Sequence, residues 1–372
     1  MAQIDQLLKV VKDRKGSDLH LSPGNPPLAR ISGELTPLSE TPLSPQITQQ
    51  LLYEIMTAEQ RAVYEETHDL DFGYPVPALD ARFRSNVFEG RLGMGGVFRL
   101  IPTQIKSLKE LALPDIVSRF TEMSKGLVLV TGGTGSGKST TLAAMVDHIN
   151  ANRHEHILTV EDPIEFVYPG RKSLINQREV GSNTKSFAAA LKAALREDPD
   201  VILVGEMRDL ETIELAITAA ETGHLVFGTL HTSSAAKTVD RIINVFPTTQ
   251  QAQIRTMLSE SLKGVIAQNL LRTPEGGRVA ALEIMVGTPA LSNLIREGKT
   301  FQIPSIIQTG KRDGMVSMEQ AIRNLMAAGR ITLSEARAYL PEVNVAESSI
   351  GREAVGSITP ANGNGNGNGA AH

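Results

Sequence analysis

Cysteine and tryptophan are both missing from this 372-residue chain, and aromatic residues make up only 4% of it. Without cysteine there is no disulfide framework and no cysteine-ligated zinc. So few aromatics argue against the stacking platforms that hold single-stranded nucleic acid. A charge excess of one sign is missing too. The 37 Lys and Arg stand against 41 Asp and Glu, a formal net charge of −4, which gives no electrostatic case for a nucleic-acid partner. Long apolar runs are also lacking. Near the N-terminus Leu7, Leu8, Val10 and Val11 are flanked by charges, so neither a signal peptide nor a membrane span is expected. The expectation is a cytoplasmic protein with no direct membrane insertion.

What remains is ordinary for a globular chain. It is 41% hydrophobic and 21% charged, and its length suits about two domains with a sizeable core. One stretch stands apart. Gly126-Leu-Val-Leu-Val-Thr131 has the length of a strand and ends on Gly132-Gly-Thr-Gly-Ser-Gly-Lys-Ser-Thr140. That turn leads into Thr141-Leu-Ala-Ala-Met-Val-Asp-His-Ile149, whose apolar spacing is helical. Gly132, Gly137, Lys138 and Ser139 fit G-x-x-x-x-G-K-[ST], the P-loop, with Gly133, Thr134, Gly135, Ser136 and Thr140 completing it. Glycines let backbone N–H groups close around phosphate oxygens, and the following helix adds its positive end. Lys138 can reach the β/γ-phosphates and the Ser139 hydroxyl can ligate Mg²⁺. The stretch therefore reads as a site for a nucleoside triphosphate with Mg²⁺.

The rest of the chain is arranged around it. Residues 1–102 read as a smaller α+β domain. Ala2–Lys15 carries one apolar helical face, and Ser17–Leu21 and Leu28–Ile31 are strands. Gln46–Met56 and Ala58–Glu66 are helices, and Asp80–Phe88 and Val97–Ile101 form a hairpin around Gly90–Gly96. Residues 103–125, with Pro114, form a connector. From Gly126 strands alternate with helices, the mark of a parallel sheet in an α/β domain spanning 126–343. Strands are expected at Leu127–Thr131, His156–Val160, Val201–Gly205, Leu225–Thr229 and Arg278–Val286. Helices are expected at Lys138–Asn150, Ser186–Arg196, Leu210–Ala220 and Ala235–Asn244. After Pro247 the chain reads as mostly helical, with Ile254, Leu258, Leu262, Val265 and Ile266 on one face. Residues 344–372, which include an Asn-Gly run, read as a disordered low-complexity tail.

A P-loop needs an acidic partner for Mg²⁺ and for the attacking water. Asp200-Val-Ile-Leu-Val-Gly-Glu206 places a carboxylate after a buried strand, where ligands bind in such sheets. Gly205 stands where an aspartate is usual, so Glu206 is expected to hold Mg²⁺ through water rather than directly. Thr159-Val-Glu-Asp-Pro-Ile-Glu165 supplies Glu161 and Glu165 as alternative bases to orient water. His224 and His231 bracket another strand and can sense a γ-phosphate. Arg82, Arg84 and Arg99 on the N-terminal hairpin are candidate transition-state cations that arrive when the domains close, with Arg208 a substitute within the P-loop domain.

Together Gly132–Thr140, Thr159–Glu165, Arg196–Asp209 and Thr222–His231 resemble the Walker A, Asp box, Walker B and His box of the type II/IV secretion ATPases. Gly16-Ser-Asp-Leu-His-Leu-Ser22 and Met257-Leu-Ser-Glu-Ser-Leu262 are similar to the pilus-retraction branch, whose relatives in pilus assembly carry a tetracysteine zinc element absent here. One segment departs: Ala290-Leu-Ser-Asn-Leu-Ile-Arg296 stands where that branch has Ala-Ile-Arg-Asn-Leu-Ile-Arg. The resemblance implies a RecA-like P-loop NTPase core, a PAS-like N-terminal domain and a homo-hexamer. It implies ATP hydrolysis driving pilus retraction on an inner-membrane pilus platform protein, with the ring peripheral at the membrane, and a paralogous retraction ATPase as a further partner. The competing readings are an accessory, nucleotide-gated binding module with little turnover, and a nucleic-acid motor on the same core.

Overall fold

The protein was analysed as a computed structural model, which describes residues 2–31, 33–101 and 104–340. The Asn-Gly tail, Pro102 at the end of the first domain and Thr103 of the connector lie outside the described residues.

The first unit begins with α1 (Gln3–Asp13), whose Ile4, Leu8 and Val11 are buried as the helical spacing requires. Strands β1 (Asp18–Leu21), β2 (Leu28–Ile31) and β3 (Glu34–Pro37) follow, then α2 (Pro45–Glu54) and α3 (Ala58–Thr67). Strands β4 (Asp69–Val76), β5 (Ala81–Gly90) and β6 (Gly93–Ile101) complete it. All six form one antiparallel sheet in the order β3-β2-β1-β6-β5-β4. Phe83, Val87, Leu19 and Phe98 point from it into a core shared with α1, α2 and α3. Two strands there escape sequence patterning. β3 is exposed along most of its length, and β4 contains Gly73 and Pro75, which read as breakers. The hairpin turn is also tighter than expected, since Gly93–Gly96 belongs to β6.

The connector carries α4 (Asp115–Thr121), with Ile116, Val117 and Phe120 buried in the second unit's core. There β7 (Gly126–Thr131), α5 (Lys138–Asn152), β8 (His156–Glu161), β9 (Leu174–Glu179), α6 (Phe187–Ala194) and β10 (Val201–Val204) follow in order. Next come α7 (Leu210–Glu221), β11 (Leu225–Leu230), α8 (Ala235–Val245), α9 (Gln251–Ser261), β12 (Leu262–Arg272) and β13 (Arg278–Val286). The chain then runs through α10 (Pro289–Arg296), α11 (Ile303–Thr309), α12 (Met318–Ala327) and α13 (Leu333–Tyr339). The sheet order is β13-β12-β7-β11-β10-β8-β9. Every neighbouring pair is parallel except β12–β13.

Helices cover both faces. Leu127 and Leu129 face one layer while Val128 and Val130 face the other, the alternation of a strand buried on two sides. Burying each such side chain contributes about 1.5–3 kcal/mol. This double burial explains one misreading. Leu262, Val265 and Ile266 belong to β12 rather than to a helix, because a strand apolar on both faces shows no period of its own. Gly264 marks the register shift against β7. Among the described residues no helix is long and apolar enough to cross a membrane.

Candidate functional site

Parallel pairing sets the site's position. Because β7, β8, β10 and β11 run the same way, the residues after each strand collect at one edge of the sheet. Residues 132–137 turn there between β7 and α5. Gly132 and Gly137 have φ of 146° and 89°, a region where side chains are strained. Space is closed to them as well. A Cβ on Gly132 would lie 2.3 Å from the Gln268 carbonyl, and one on Gly137 would lie 2.8 Å from the Gln268 side-chain amide.

Gln268 is a residue that sequence reasoning missed. Buried on β12, it donates from Nε2 to the Ser136 carbonyl at 2.7 Å and accepts from Thr141 Oγ1 at 2.8 Å. It thereby braces both the loop and the first turn of α5. Its signal was a lone amide in an apolar stretch, visible only once that stretch is known to be a strand beside β7.

Lys138 opens α5 and donates to the Gly132 and Gly133 carbonyls at 2.9 and 3.1 Å. Burial draws its ammonium below the usual lysine range, while the Glu206 and Glu165 carboxylates pull the other way. That mutual influence places the P-loop lysine, the residue after β10 and the loop after β8 in one electrostatic field. Ser139 and Thr140 follow on α5, half-buried.

Glu206 sits between two partners. Arg208 approaches it at 2.5 Å through Nε and 2.6 Å through Nη2. His231 Nε2 lies 3.0 Å from its Oε1. Burial would raise the Glu206 carboxyl, but Arg208 and His231 outweigh it and hold it below the usual carboxylate range. Glu206 is therefore ionised at neutral pH. The backbone behind it is fixed, since Thr229 Oγ1 donates to the Gly205 carbonyl at 2.5 Å.

Glu161, at the end of β8, has the opposite environment. It accepts from Thr159 Oγ1 at 2.7 Å, from Gln177 Nε2 at 3.2 Å and from the Glu165 amide at 3.4 Å. Burial nevertheless pushes its carboxyl above the usual range. Asp162 is also raised by burial, against the pull of Arg208 and Arg84.

The histidines separate. His231 follows β11 and touches Glu206, whereas His224 precedes β11, beside the start of β7. At about 3.3 Å per residue, the length of β11 puts roughly 20 Å between them. His224 Nδ1 lies 2.9 Å from the Ala219 carbonyl and closes the turn after α7. It is thus removed from the phosphate end of this chain's sheet, a correction that follows directly from the parallel register.

The hairpin arginines share one face of the N-terminal sheet, and each has a carboxylate. Arg99 Nε donates to the buried Asp18 at 2.8 Å, and Arg84 lies 3.7 Å from Asp71. Arg82 reaches the second unit, where it pairs with Glu179 and donates from Nε to the Ile164 carbonyl at 3.1 Å. In this arrangement all three stand in these pairs rather than on the P-loop. Glu179, on a strand the sequence did not reveal, is the second residue missed.

Most of the chain is similar to known proteins. Residues 3–338 match the family profile described as Type II/IV secretion system protein. The chain is 53% identical over 341 residues to the "Type IV pilus retractation ATPase PilT" of Pseudomonas aeruginosa, covering 91% of this chain and 99% of that one. It is 53% identical over 312 residues to the "Twitching motility protein" of Neisseria gonorrhoeae, covering 84% and 83%. Among solved structures, it superposes with a TM-score of 0.84 and 48% identity on one titled "Crystal Structure of the Pilus Retraction Motor PilT and Bound ADP", covering 91% and 96%.

Proposed function

The chain belongs to the type II/IV secretion system protein family, and from that premise we propose that it is an ATPase motor that drives retraction of a type IV pilus. The observation that carries this reading is the convergence of Lys138, Glu165 and Glu206 at the ends of parallel neighbouring strands, with Arg208 at 2.5 Å and His231 at 3.0 Å from Glu206. Such a constellation suits a nucleoside triphosphate and its γ-phosphate rather than a diphosphate alone.

Gly132–Thr140 would enclose the phosphates through backbone N–H groups, and Lys138 would exchange its loop carbonyls for phosphate oxygens. The donor set suits Mg²⁺: Ser139 supplies a hydroxyl, and Glu206 an ionised carboxylate acting through water. No group of three or more His, Cys, Asp and Glu among the described residues could hold a metal alone, so phosphate oxygens would complete the shell. Bound there, Mg²⁺ supplies charge neutralisation on the β- and γ-phosphates. Glu165, or Glu161 once ionised, orients the attacking water. His231 reports the γ-phosphate to Glu206, and Arg99 and Arg84 supply cations from the N-terminal sheet when the units close.

The assembly proposed is a homo-hexameric ring, cytoplasmic and peripheral at the inner membrane, acting on a pilus platform protein beside a paralogous ATPase. Two measurements test it together: ATP turnover by the isolated full-length chain, and pilus retraction in cells deleted for it. Turnover with retraction lost on deletion is expected. Absence of turnover would leave a nucleotide-gated binding module, and DNA-stimulated turnover would favour a nucleic-acid motor.

A further inference from the structure

Arg82, Glu179 and the backbone of Ile164 close a three-membered hydrogen-bonded ring. Arg82 Nε donates to the Ile164 carbonyl at 3.1 Å, the Ile164 amide donates to Glu179 Oε2 at 3.0 Å, and Arg82 Nη2 pairs with that same oxygen. Glu179 Oε1 also accepts from Ser182 Oγ at 3.3 Å. The pair is well shielded, with side-chain exposure of 17% for Arg82 and 6% for Glu179. Ile164 immediately precedes Glu165, and Glu179 lies beside Glu161 in the register of β8 and β9. An arginine of the first unit thus grips the peptide that carries a proposed base of the second.

Gly73 shows that the passage is built for it. A Cβ there would stand 2.2 Å from Arg82 Nη2 and 2.9 Å from Glu179 Oε2, closer than real side-chain carbons approach. Glycine on β4 leaves the guanidinium this route, and any Cβ there would push its tip aside.

We propose that Arg82, Glu179 and Gly73 form an inter-domain latch, with Arg82 and Glu179 as positioning residues that hold Glu165 in its working place. The proposal rests on the ATPase reading above. Rotation of the N-terminal unit withdraws Arg82, leaves Glu179 buried without its cation, and loosens both polar groups of Ile164 together. Domain placement would then gate hydrolysis through the backbone of the carboxylate loop, without any group of the latch touching nucleotide. Arg82 accordingly changes role from the transition-state cation expected from sequence to a residue that acts through another.

Steady-state turnover of full-length Arg82→Gln, Glu179→Gln and the double variant tests this. Each single should lower kcat about tenfold or more with KM for ATP within about threefold, since a small misplacement of a reacting group slows chemistry without weakening binding. The double should be no slower than the worse single, because both changes open the same ring. Gly73→Ala, whose Cβ would displace the guanidinium tip, should shift kcat in the same direction. Hydrogen exchange supplies a readout independent of turnover: protection of the Ile164 and Glu165 amides should fall in both singles. Parent-like kcat in both singles, multiplicative losses in the double, or unchanged amide protection would each overturn the latch. A parent chain that fails to hydrolyse ATP would overturn the ATPase reading alone, with the exchange result still deciding the latch.

Discussion

The two sheets handle charge in opposite ways. In the parallel sheet, candidate functional side chains come from distant parts of the sequence and gather because these strands end at the same edge: Lys138 after β7, Glu165 after β8, Glu206 after β10 and His231 after β11. In the antiparallel sheet, Arg82, Arg84 and Arg99 sit close together on one face, yet each is engaged separately, by Glu179, Asp71 and Asp18. A parallel sheet gathers chemistry by direction alone. An antiparallel one only displays it, here in separate pairs away from the P-loop.

The strongest way to break this contrast is at the P-loop. Lys138→Ala should lower turnover by about 10²–10³-fold or more, because a preorganised cation facing phosphate is lost. Nucleotide binding should weaken sharply in a direct titration. Near-parent turnover would mean the gathered edge is not the site. Glu206→Gln should slow turnover about 10²-fold while ATP binding persists, since the amide keeps shape but not charge. If Glu165→Gln is inactive and Glu206→Gln is not, the two carboxylates exchange roles. Arg99→Ala tests the displayed cations and should lose about tenfold or more in turnover. Parent-like rates in both Arg99→Ala and Arg84→Ala would make the N-terminal face structural and leave Arg208 as the cation.

Two subtler tests sharpen the comparison within the gathered edge. Glu161 is raised and Glu206 lowered from the ordinary range. As pH falls from neutrality, Glu161 therefore takes its proton first, while Glu206 stays ionised until well into acid. Glu161→Gln imitates the protonated carboxyl, so its kcat should stay at the parent's acid-side level across the profile. The smallest effect belongs to His224→Ala, with turnover within about twofold of the parent, as for surface changes away from special contacts. His231→Ala, at the other end of β11, should be far slower. Equal losses in the two variants would show that the sheet edge does not define the site.

What was legible in the sequence follows the same division. The P-loop, Glu206 and the flanking strands could be read because strand, turn and helix are local patterns. β9 could not, since Leu174-Ile-Asn-Gln-Arg-Glu179 lies at the edge of the sheet with little apolar content. With β9 hidden, nothing in the sequence positions Glu179 or signals that Arg82 reaches Glu179 and the Ile164 carbonyl. Gln268 was illegible for a different reason: its partner Ser136 is 132 residues away, and β12 shows no helical or strand period. Both histidines of one motif looked equivalent until parallel register put them at opposite ends.

The helix at the end of the connector has a mechanical meaning. Phe120 fills the space that Gly264 leaves open, where a Cβ would lie 2.4 Å from its ring. Arg153, which caps α5, bolts the same segment down by donating to the Thr121 and Met123 carbonyls at 2.7 and 2.8 Å. Residues 115–123 are thus held to the second unit's core and to the C-terminal end of α5, the helix that begins with Lys138 and Ser139, so this stretch of the connector and that helix form one body.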